Sequence, residues 1–276
     1  MCVGMLCLTI NDAFAKWLTA HYHPVQIVFL RNLVALPLVA VAAIAISGPS
    51  VLRTPHAGLH AARGLLLVAG SICFFMGLKF LPLAEAVSLV FAAPIFITAL
   101  SVPLLGEKVG WRRWLAVLVG FAGVLIIVRP GAAAFQYASL FVVATALFYA
   151  LIMLSARRLN PSEGLWTLMF YVVLFPLLFS AFAMPAVWQP VEAAHFAHLV
   201  ALAIFGTLGL TLISQAFRMA PAPVIAPFDY TALIWATLLG WAVWSELPDS
   251  WTYVGAAIII ASGIYIILRE TRPNEP

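Results

Sequence analysis

The chain has very few charged residues and lacks the clusters that mark metal or disulfide proteins. Of its 276 residues, 9% are Asp, Glu, Lys or Arg, whereas a soluble domain carries about a quarter. None of its three cysteines forms a Cys-x-x-Cys pair, and its six histidines have no cysteine or carboxylate at zinc spacing. These absences argue against a disulfide framework and against a bound metal or cofactor.

Motifs that carry catalysis are missing as well. The sequence has no His-Glu-x-x-His, no Gly-x-Ser-x-Gly and no aspartate dyad, so we predict that the protein is not an enzyme. The net charge of +4 does not require nucleic acid, because basic residues also set the topology of membrane proteins. The N-terminus has no basic n-region and no small-residue cleavage site, which favours a retained first helix over a signal peptide.

Hydrophobic residues dominate instead. They make up 64% of the chain, and the mean hydropathy is +1.08, so lipid is the main solvent. A spanning helix needs about 20 largely apolar residues. On that template the fold is an all-α integral membrane protein with ten transmembrane helices. Their predicted ranges are about 2–20, 24–46, 61–80, 82–105, 111–129, 136–158, 162–186, 194–219, 221–244 and 251–269.

Lysine and arginine predict the orientation. If the N-terminus is cytoplasmic, three basic residues, Lys16, Lys79 and Arg129, fall on the opposite side, close to helix ends. The cytoplasmic segments hold Arg53, Arg63, Lys108, Arg112, Arg113, Arg157, Arg158, Arg218, Arg269 and Arg272. This positive-inside bias predicts a multi-pass protein of a bacterial-type inner membrane, with both termini cytoplasmic.

The sequence contains an internal repeat. Much of the pattern of residues 103–130 returns at 242–272, about half the chain later. Each half then holds five helices, and because five is odd the second half crosses the membrane in the opposite sense. We therefore expect two inverted five-helix repeats, residues 1–130 and 136–270. Such a repeat suits a protein that opens alternately to two sides, although channels also have them.

The order of short motifs resembles a known family. The matching features are the Leu-Lys-x-Leu-Pro turn at Leu78–Pro82, Ala93-Pro94, Leu105–Glu107, Gly120-x-x-Gly123, Arg129-Pro130 and, upstream, Asn11-x-x-x-x-Lys16 and Phe29–Arg31. Together they resemble the EamA domain of the drug/metabolite transporter superfamily. The second half is looser, with Ser245 in place of Gly106. The resemblance implies a carrier of small organic solutes such as amino acids, sugars, drugs or nucleotide-linked sugars.

Polar side chains inside apolar helices predict the cavity, because a charge at membrane depth is costly and faces a cavity or a partner. Asp12 and Lys16 are four residues apart on the first helix and are expected to pair. Asp229 has no basic residue one turn away, which makes it the preferred candidate for a proton or a substrate ammonium. The cavity candidates are Asp12, Lys16, Phe75, Phe91, Tyr149, Gln215, Asp229 and Tyr230.

Four other charged residues are assigned to helix ends or structural roles. Glu85 lies in the first turn of the fourth helix, where a carboxylate interacts favourably with the helix dipole. Glu107 and Glu246 occupy loops, and Arg31 is expected to clamp a helix end or a carbonyl more readily than to bind substrate. Helices 1–4 and 6–9 are predicted to surround the cavity, with helices 5 and 10 outside.

The predicted function is the export of small organic metabolites by alternating access, with amino acids as the leading candidates. A zwitterion needs one anionic and one cationic contact, which a sparse cavity of mixed charge offers. The alternative is a multidrug or organic-cation exporter, which would use Asp12 or Asp229 with aromatic faces. The expected partners are a small-molecule substrate and the lipid bilayer, without nucleic acid. Coupling to protons and facilitated diffusion both remain open.

Overall fold

The computed structural model describes residues 1–106, 109–130, 136–156, 164–219 and 222–270, and this part of the chain is helical, without strands. Glu107 lies outside the described residues. The α-helices are α1 (Cys2–Thr19), α2 (Pro24–Ser47), α3 (Ala57–Leu78), α4 (Leu83–Val90), α5 (Ala93–Leu105), α6 (Trp111–Val128), α7 (Ala138–Ala156), α8 (Leu165–Ala181), α9 (Met184–Val187), α10 (Phe196–Met219), α11 (Ala222–Ile225), α12 (Thr231–Trp244) and α13 (Ser250–Glu270). Short 3-10 helices form at Pro49–Leu52, Ala193–His195 and Ala226–Tyr230.

Seven stretches of the described chain are long and apolar enough to cross a membrane. They are Pro24–Ser47, Ala57–Leu78, Leu83–Leu105, Trp111–Val128, Ala138–Ser155, Ala193–Met219 and Ser250–Leu268. Three predicted spans fall short of this measure. Polar residues lower the mean hydropathy of α1. Helix α8 is too short, with 17 residues. The ninth predicted span is divided between α11, a 3-10 helix and α12. The protein is therefore a multi-pass, all-helical membrane protein.

In the described chain, the fourth and ninth predicted spans are divided near their middles, and the seventh turns at Phe182 and Ala183 before α9. The fourth breaks at Phe91 and Ala92, between α4 and α5, and the ninth breaks at the 3-10 helix Ala226–Tyr230. Proline lies just after each break begins, as Pro94 in the first turn of α5 and Pro227 in the 3-10 helix. Because proline has no N–H and its ring crowds the preceding turn, it interrupts the helix hydrogen bonding at these positions.

The helices pack in a small number of close pairs. The pair formed by α6 and α13 stands beside a larger group, in which α3 packs on α7, α1 on α10 and α2 on α8. The main apolar core runs through both halves of the chain, with buried residues from α1 to α7 and from α10, α12 and α13. Large apolar side chains also cover the outer surface, for example Val41 at 68% exposed and Leu118 at 64%. Such a surface suits contact with lipid.

The junction between α6 and α13 is held by a capping carboxylate. The backbone N–H of Thr252 donates to Oδ1 of Asp249 at 2.8 Å, which is the arrangement of a helix N-cap. Arg129, at the end of α6, pairs with the same carboxylate. Partial desolvation acts to raise the pKa of Asp249, but the hydrogen bonds from Thr252 and the positive charge of Arg129 outweigh it and lower that pKa.

Helices α5 and α12 end in the same way, although their last residues differ. Gly106 has φ 69° and Ser245 has φ 55°, so both adopt the left-handed conformation. The N–H of Gly106 donates to the carbonyl of Val102, and the N–H of Ser245 to that of Trp241. This turn favours glycine, because a Cβ is strained at positive φ. Ser245 therefore places a strained residue where the first half has glycine.

We expect Ser245→Gly to stabilise the protein by about 1 kcal/mol, since a left-handed residue with a Cβ costs roughly 1–2 kcal/mol. Gly106→Ser should destabilise by a similar amount, and it serves as the mirror control. The measurement is thermal unfolding in detergent, where about 1 kcal/mol shifts the midpoint by roughly 2–4 °C. Equal midpoints for Ser245→Gly and wild type would mean that the turn is not strained.

Candidate functional site

A cavity of about 270 Å3 lies between α1, α2, α3, α4, α7, α8 and α10. In the described part of the chain, α6 and α13 contribute nothing to its lining, as expected for helices 5 and 10. Contrary to the prediction, the described residues of α11 and α12 do not line it either. Most of the wall is apolar. The polar lining residues are Asn11, Asp12, Arg31, Asn32, Ser71, Thr145, Tyr149 and Thr207.

Asp12 and Arg31 give the cavity one negative and one positive group. Asp12 accepts a hydrogen bond from Nδ2 of Asn11 at 3.0 Å. The charges of Asp12 and Arg31 act on each other, yet no direct ion pair joins them within the described residues. Arg31, which was expected to clamp a helix end or a carbonyl, lines the cavity, and its structural role stays a prediction. Neither side chain has an ion-pair partner among the described residues.

The expected pairing of Asp12 with Lys16 is wrong. Lys16 pairs with Glu246, at the end of α12, and its Nζ also donates to the carbonyl of Leu81 at 3.0 Å. The same ammonium lies 5.1 Å from the ring centre of Trp244. A carboxylate, a carbonyl and an indole face thus hold Lys16 away from Asp12. Glu246, predicted to order a helix end, links α12 to α1.

The aromatic candidates divide into two groups. Phe75 and Tyr149 line the cavity, together with Phe74, which the sequence analysis did not select. Phe91 and Tyr230 do not line it, but their rings meet edge to face with centroids 5.0 Å apart. They lie at the breaks in the fourth and ninth predicted spans. This ring pair therefore connects the two discontinuous helices and is not part of the cavity wall.

The remaining candidates lie away from the cavity. Gln215 is exposed on α10 and does not line the cavity. Asp229 is in the 3-10 helix, where its charge acts on Tyr149 and Tyr230, and its carboxylate makes no hydrogen bond or ion pair with any residue that the structure describes. Glu85 occupies the first turn of α4, as predicted, and is near the charges of Asp249 and Arg129.

The sequence analysis missed the role of two asparagines in the cavity wall. Asn11 precedes Asp12 and Asn32 follows Arg31, so each charged residue has a polar neighbour in an otherwise apolar helix. Asn32 is buried and donates to the carbonyl of Val28 at 2.7 Å. The signal that could have identified them is the adjacent polar pair itself, which is rare in a membrane-spanning helix.

Known proteins resemble this chain over nearly its whole length. An S-adenosylmethionine uptake transporter of Rickettsia bellii is 29% identical over 274 residues, covering 98% of this chain and 92% of that protein. A riboflavin transporter of Vibrio cholerae is 32% identical over 225 residues, covering 81% of this chain and 76% of that protein. The pseudopaline exporter CntI of Pseudomonas aeruginosa is 27% identical over 271 residues, covering 93% and 90%.

A solved crystal structure has the same fold, with a TM-score of 0.61 and 24% identity over 98% of both chains. Residues 1–129 and again residues 136–269 match the EamA-like transporter family. The cavity is lined mainly by apolar residues, and the relatives named above are all transporters of small molecules. These findings identify a multi-pass membrane transporter rather than an enzyme, and the chain belongs to the EamA-like transporter family.

Proposed function

We propose that the protein carries small zwitterionic metabolites, amino acids first, across the bacterial plasma membrane. The observation that carries this proposal is that Asp12 and Arg31 line one cavity and form no direct ion pair within the described chain. An α-amino acid presents an ammonium and a carboxylate on the same carbon. Asp12 can accept from the ammonium and Arg31 can donate to the carboxylate, so each charge gains a partner as the solute enters.

The size and walls of the cavity support a solute of amino-acid size. Its volume of about 270 Å3 lies just below the roughly 300–1,000 Å3 of pockets for drug-sized ligands. Phe74, Phe75 and Tyr149 supply aromatic surface, which suits an apolar or aromatic side chain. Arg31 disfavours the alternative of an organic-cation carrier, because a substrate with only positive charge would leave the guanidinium without a partner.

S-adenosylmethionine is a second candidate. The observation that favours it is the similarity to an S-adenosylmethionine uptake transporter along 98% of this chain. The compound carries an amino-acid head, which Asp12 and Arg31 could hold in the same way. Its adenosyl group makes it much larger than an ordinary amino acid, so its transport would require a wider cavity in another conformation.

We also propose that ten segments cross the membrane as two inverted five-helix repeats. The separate family matches over residues 1–129 and 136–269 support this arrangement. Helix packing supports it too. In the proposed repeat α1, α2, α3 and α6 correspond to α7, α8, α10 and α13. Exchanging each helix for its counterpart turns the packed pair α3–α7 into the packed pair α10–α1, and it leaves the pairs α2–α8 and α6–α13 unchanged. Both termini are proposed to be cytoplasmic. A membrane-impermeant reagent that labels a cysteine at Ser50 from outside the cell would contradict this topology.

Alternating access is the proposed mechanism, and the broken helices support it. Phe91 and Tyr230 lie 139 residues apart, the spacing of the repeat, and their rings touch. Breaks at matching places in two halves allow the segments on either side to tilt independently, as in other carriers with discontinuous helices. The glycine and proline positions around these breaks are proposed to absorb the rocking between inward-open and outward-open states.

The decisive experiment is counterflow in proteoliposomes that contain the purified protein. The solutes are phenylalanine, leucine, lysine, glutamate, S-adenosylmethionine, riboflavin and tetraphenylphosphonium, each with and without a pH gradient. We expect neutral amino acids to exchange and tetraphenylphosphonium to remain outside. Exchange runs in both directions, so the assay does not depend on whether the protein exports or imports. Transport of tetraphenylphosphonium without any amino acid would contradict the proposal and support the organic-cation alternative.

A further inference from the structure

Asn11 occupies a position in the cavity wall that fold stability alone does not explain. It is 3% exposed and lies on α1 where that helix packs against α10. Its Nδ2 donates to Oδ1 of Asp12 at 3.0 Å. Its own Oδ1 is buried without a hydrogen-bond partner in the described structure. A buried unpaired acceptor is unfavourable, whereas a leucine of similar size would fill the same space without one.

The amide of Asn11 fits because position 206 on α10 has no side chain. A Cβ on Gly206 would lie 2.6 Å from Oδ1 of Asn11, much closer than atoms approach without a shift. Gly209, one turn further along α10, faces a different residue, since its Cβ would lie 2.9 Å from Leu8. Gly206 therefore leaves room for the Asn11 amide, and this amide holds Oδ1 of Asp12 through its hydrogen bond.

We propose that Asn11 is a positioning residue that gives the cavity its preference for solutes with an ammonium group. The inference rests on the proposed function, because it assumes that Asp12 receives the ammonium. The hydrogen bond from Asn11 occupies Oδ1 of Asp12 and holds the carboxylate in one orientation. Oδ2 then faces a solute without a competing donor from the described side chains. A charged hydrogen bond depends on such fixed geometry.

The test compares L-phenylalanine with 3-phenylpropionate, which has the same ring and carboxylate but no ammonium. Exchange of both is measured with the full-length protein in proteoliposomes. Asn11→Leu should raise the KM for phenylalanine about tenfold, as expected for the loss of one well-oriented charged hydrogen bond. The KM for 3-phenylpropionate should stay within about twofold, because this solute uses Arg31 and not Asp12.

A matched pair of glycine variants separates positioning from packing. Gly206→Ala displaces the Asn11 amide and should shift the two KM values in the same unequal way as Asn11→Leu. Gly209→Ala crowds Leu8 and the backbone carbonyl of Gly4 but not Asn11, so it should affect both solutes alike. If Asn11→Leu does not fold, Gly206→Ala decides the question. An equal change in both KM values for Asn11→Leu and Gly206→Ala would overturn the inference.

The failure of the proposed function has a different outcome. If the proposed function is wrong, the wild-type protein will show equal KM values for phenylalanine and 3-phenylpropionate, or it will exchange neither. The inference about Asn11 is then overturned as well. A wild-type preference for phenylalanine that persists in both variants overturns the inference alone. Thermal unfolding of each variant in detergent confirms that the compared proteins are folded.

Discussion

Arg31→Met is expected to lower amino-acid exchange about 100-fold, which corresponds to roughly 2.7 kcal/mol, within the range for a hydrogen bond to a charged group. The methionine preserves much of the apolar volume of the arginine stem, but it cannot donate to a carboxylate. Asp12 then stands in the cavity without a positive group near it, so a zwitterion loses one of its two contacts. The measurement is initial exchange of phenylalanine in proteoliposomes.

Gln215→Ala is the matched control for Arg31→Met. Gln215 was also a cavity candidate from the sequence, but it is exposed on α10 and does not line the cavity, so its replacement should leave exchange unchanged. Arg31→Lys should restore part of the activity, because it keeps the charge but not the planar fork that binds a carboxylate through two hydrogen bonds. Normal exchange by a folded Arg31→Met protein would remove Arg31 from the proposed substrate site.

Lys16→Met is expected to open the cavity toward the outer side, by the orientation proposed above. Lys16 and Glu246 join α1 to the end of α12, and Leu81 binds the same ammonium from the turn that follows α3. The Lys16 side chain is 8% exposed and that of Glu246 34%. Glu246 can therefore be rehydrated when Lys16 is lost, so the variant should fold while the arrangement described here loses this ion pair.

Labelling with an impermeant maleimide measures this opening. Cys2, Cys7 and Cys73 are first replaced, and Ser71, which lines the cavity, becomes the single cysteine. Lys16→Met should increase the labelling rate from outside about tenfold, which needs a shift in the equilibrium of only about 1.4 kcal/mol. Adding Glu246→Leu should change little more, since the tie is already broken. Unchanged labelling in Lys16→Met would show that this ion pair does not control access.

The positions of the helices follow closely from hydropathy, because the thickness of the lipid core sets the length of the apolar segment that crosses it. The two breaks were less accessible to prediction. Pro94 and Pro227 signal that helix hydrogen bonding is interrupted, but proline also occurs inside α2 as Pro37 and inside α8 as Pro176 without ending those helices. Whether proline bends a helix or divides it depends on the neighbours that satisfy the freed backbone groups.

The charged contacts were predicted least well. Spacing along α1 favoured a pair between Asp12 and Lys16, because residues four apart lie on one face of a helix. The actual partner of Lys16 is Glu246, separated from it by 230 residues. No periodicity in a single sequence reports such a contact. The cavity position of Asp12 was predictable from its burial cost, whereas that of Arg31 required the packing of α2 against its neighbours.

The two charged residues that line the cavity, Asp12 and Arg31, both belong to the first half of the chain. Every described lining residue from the second half, such as Thr145, Tyr149 and Thr207, is uncharged. After a gene duplication, one copy could thus retain recognition of the amino-acid head while the other diverged to suit different side chains. Relatives that carry different metabolites could then arise mainly through exchanges between uncharged residues in α7, α8 and α10.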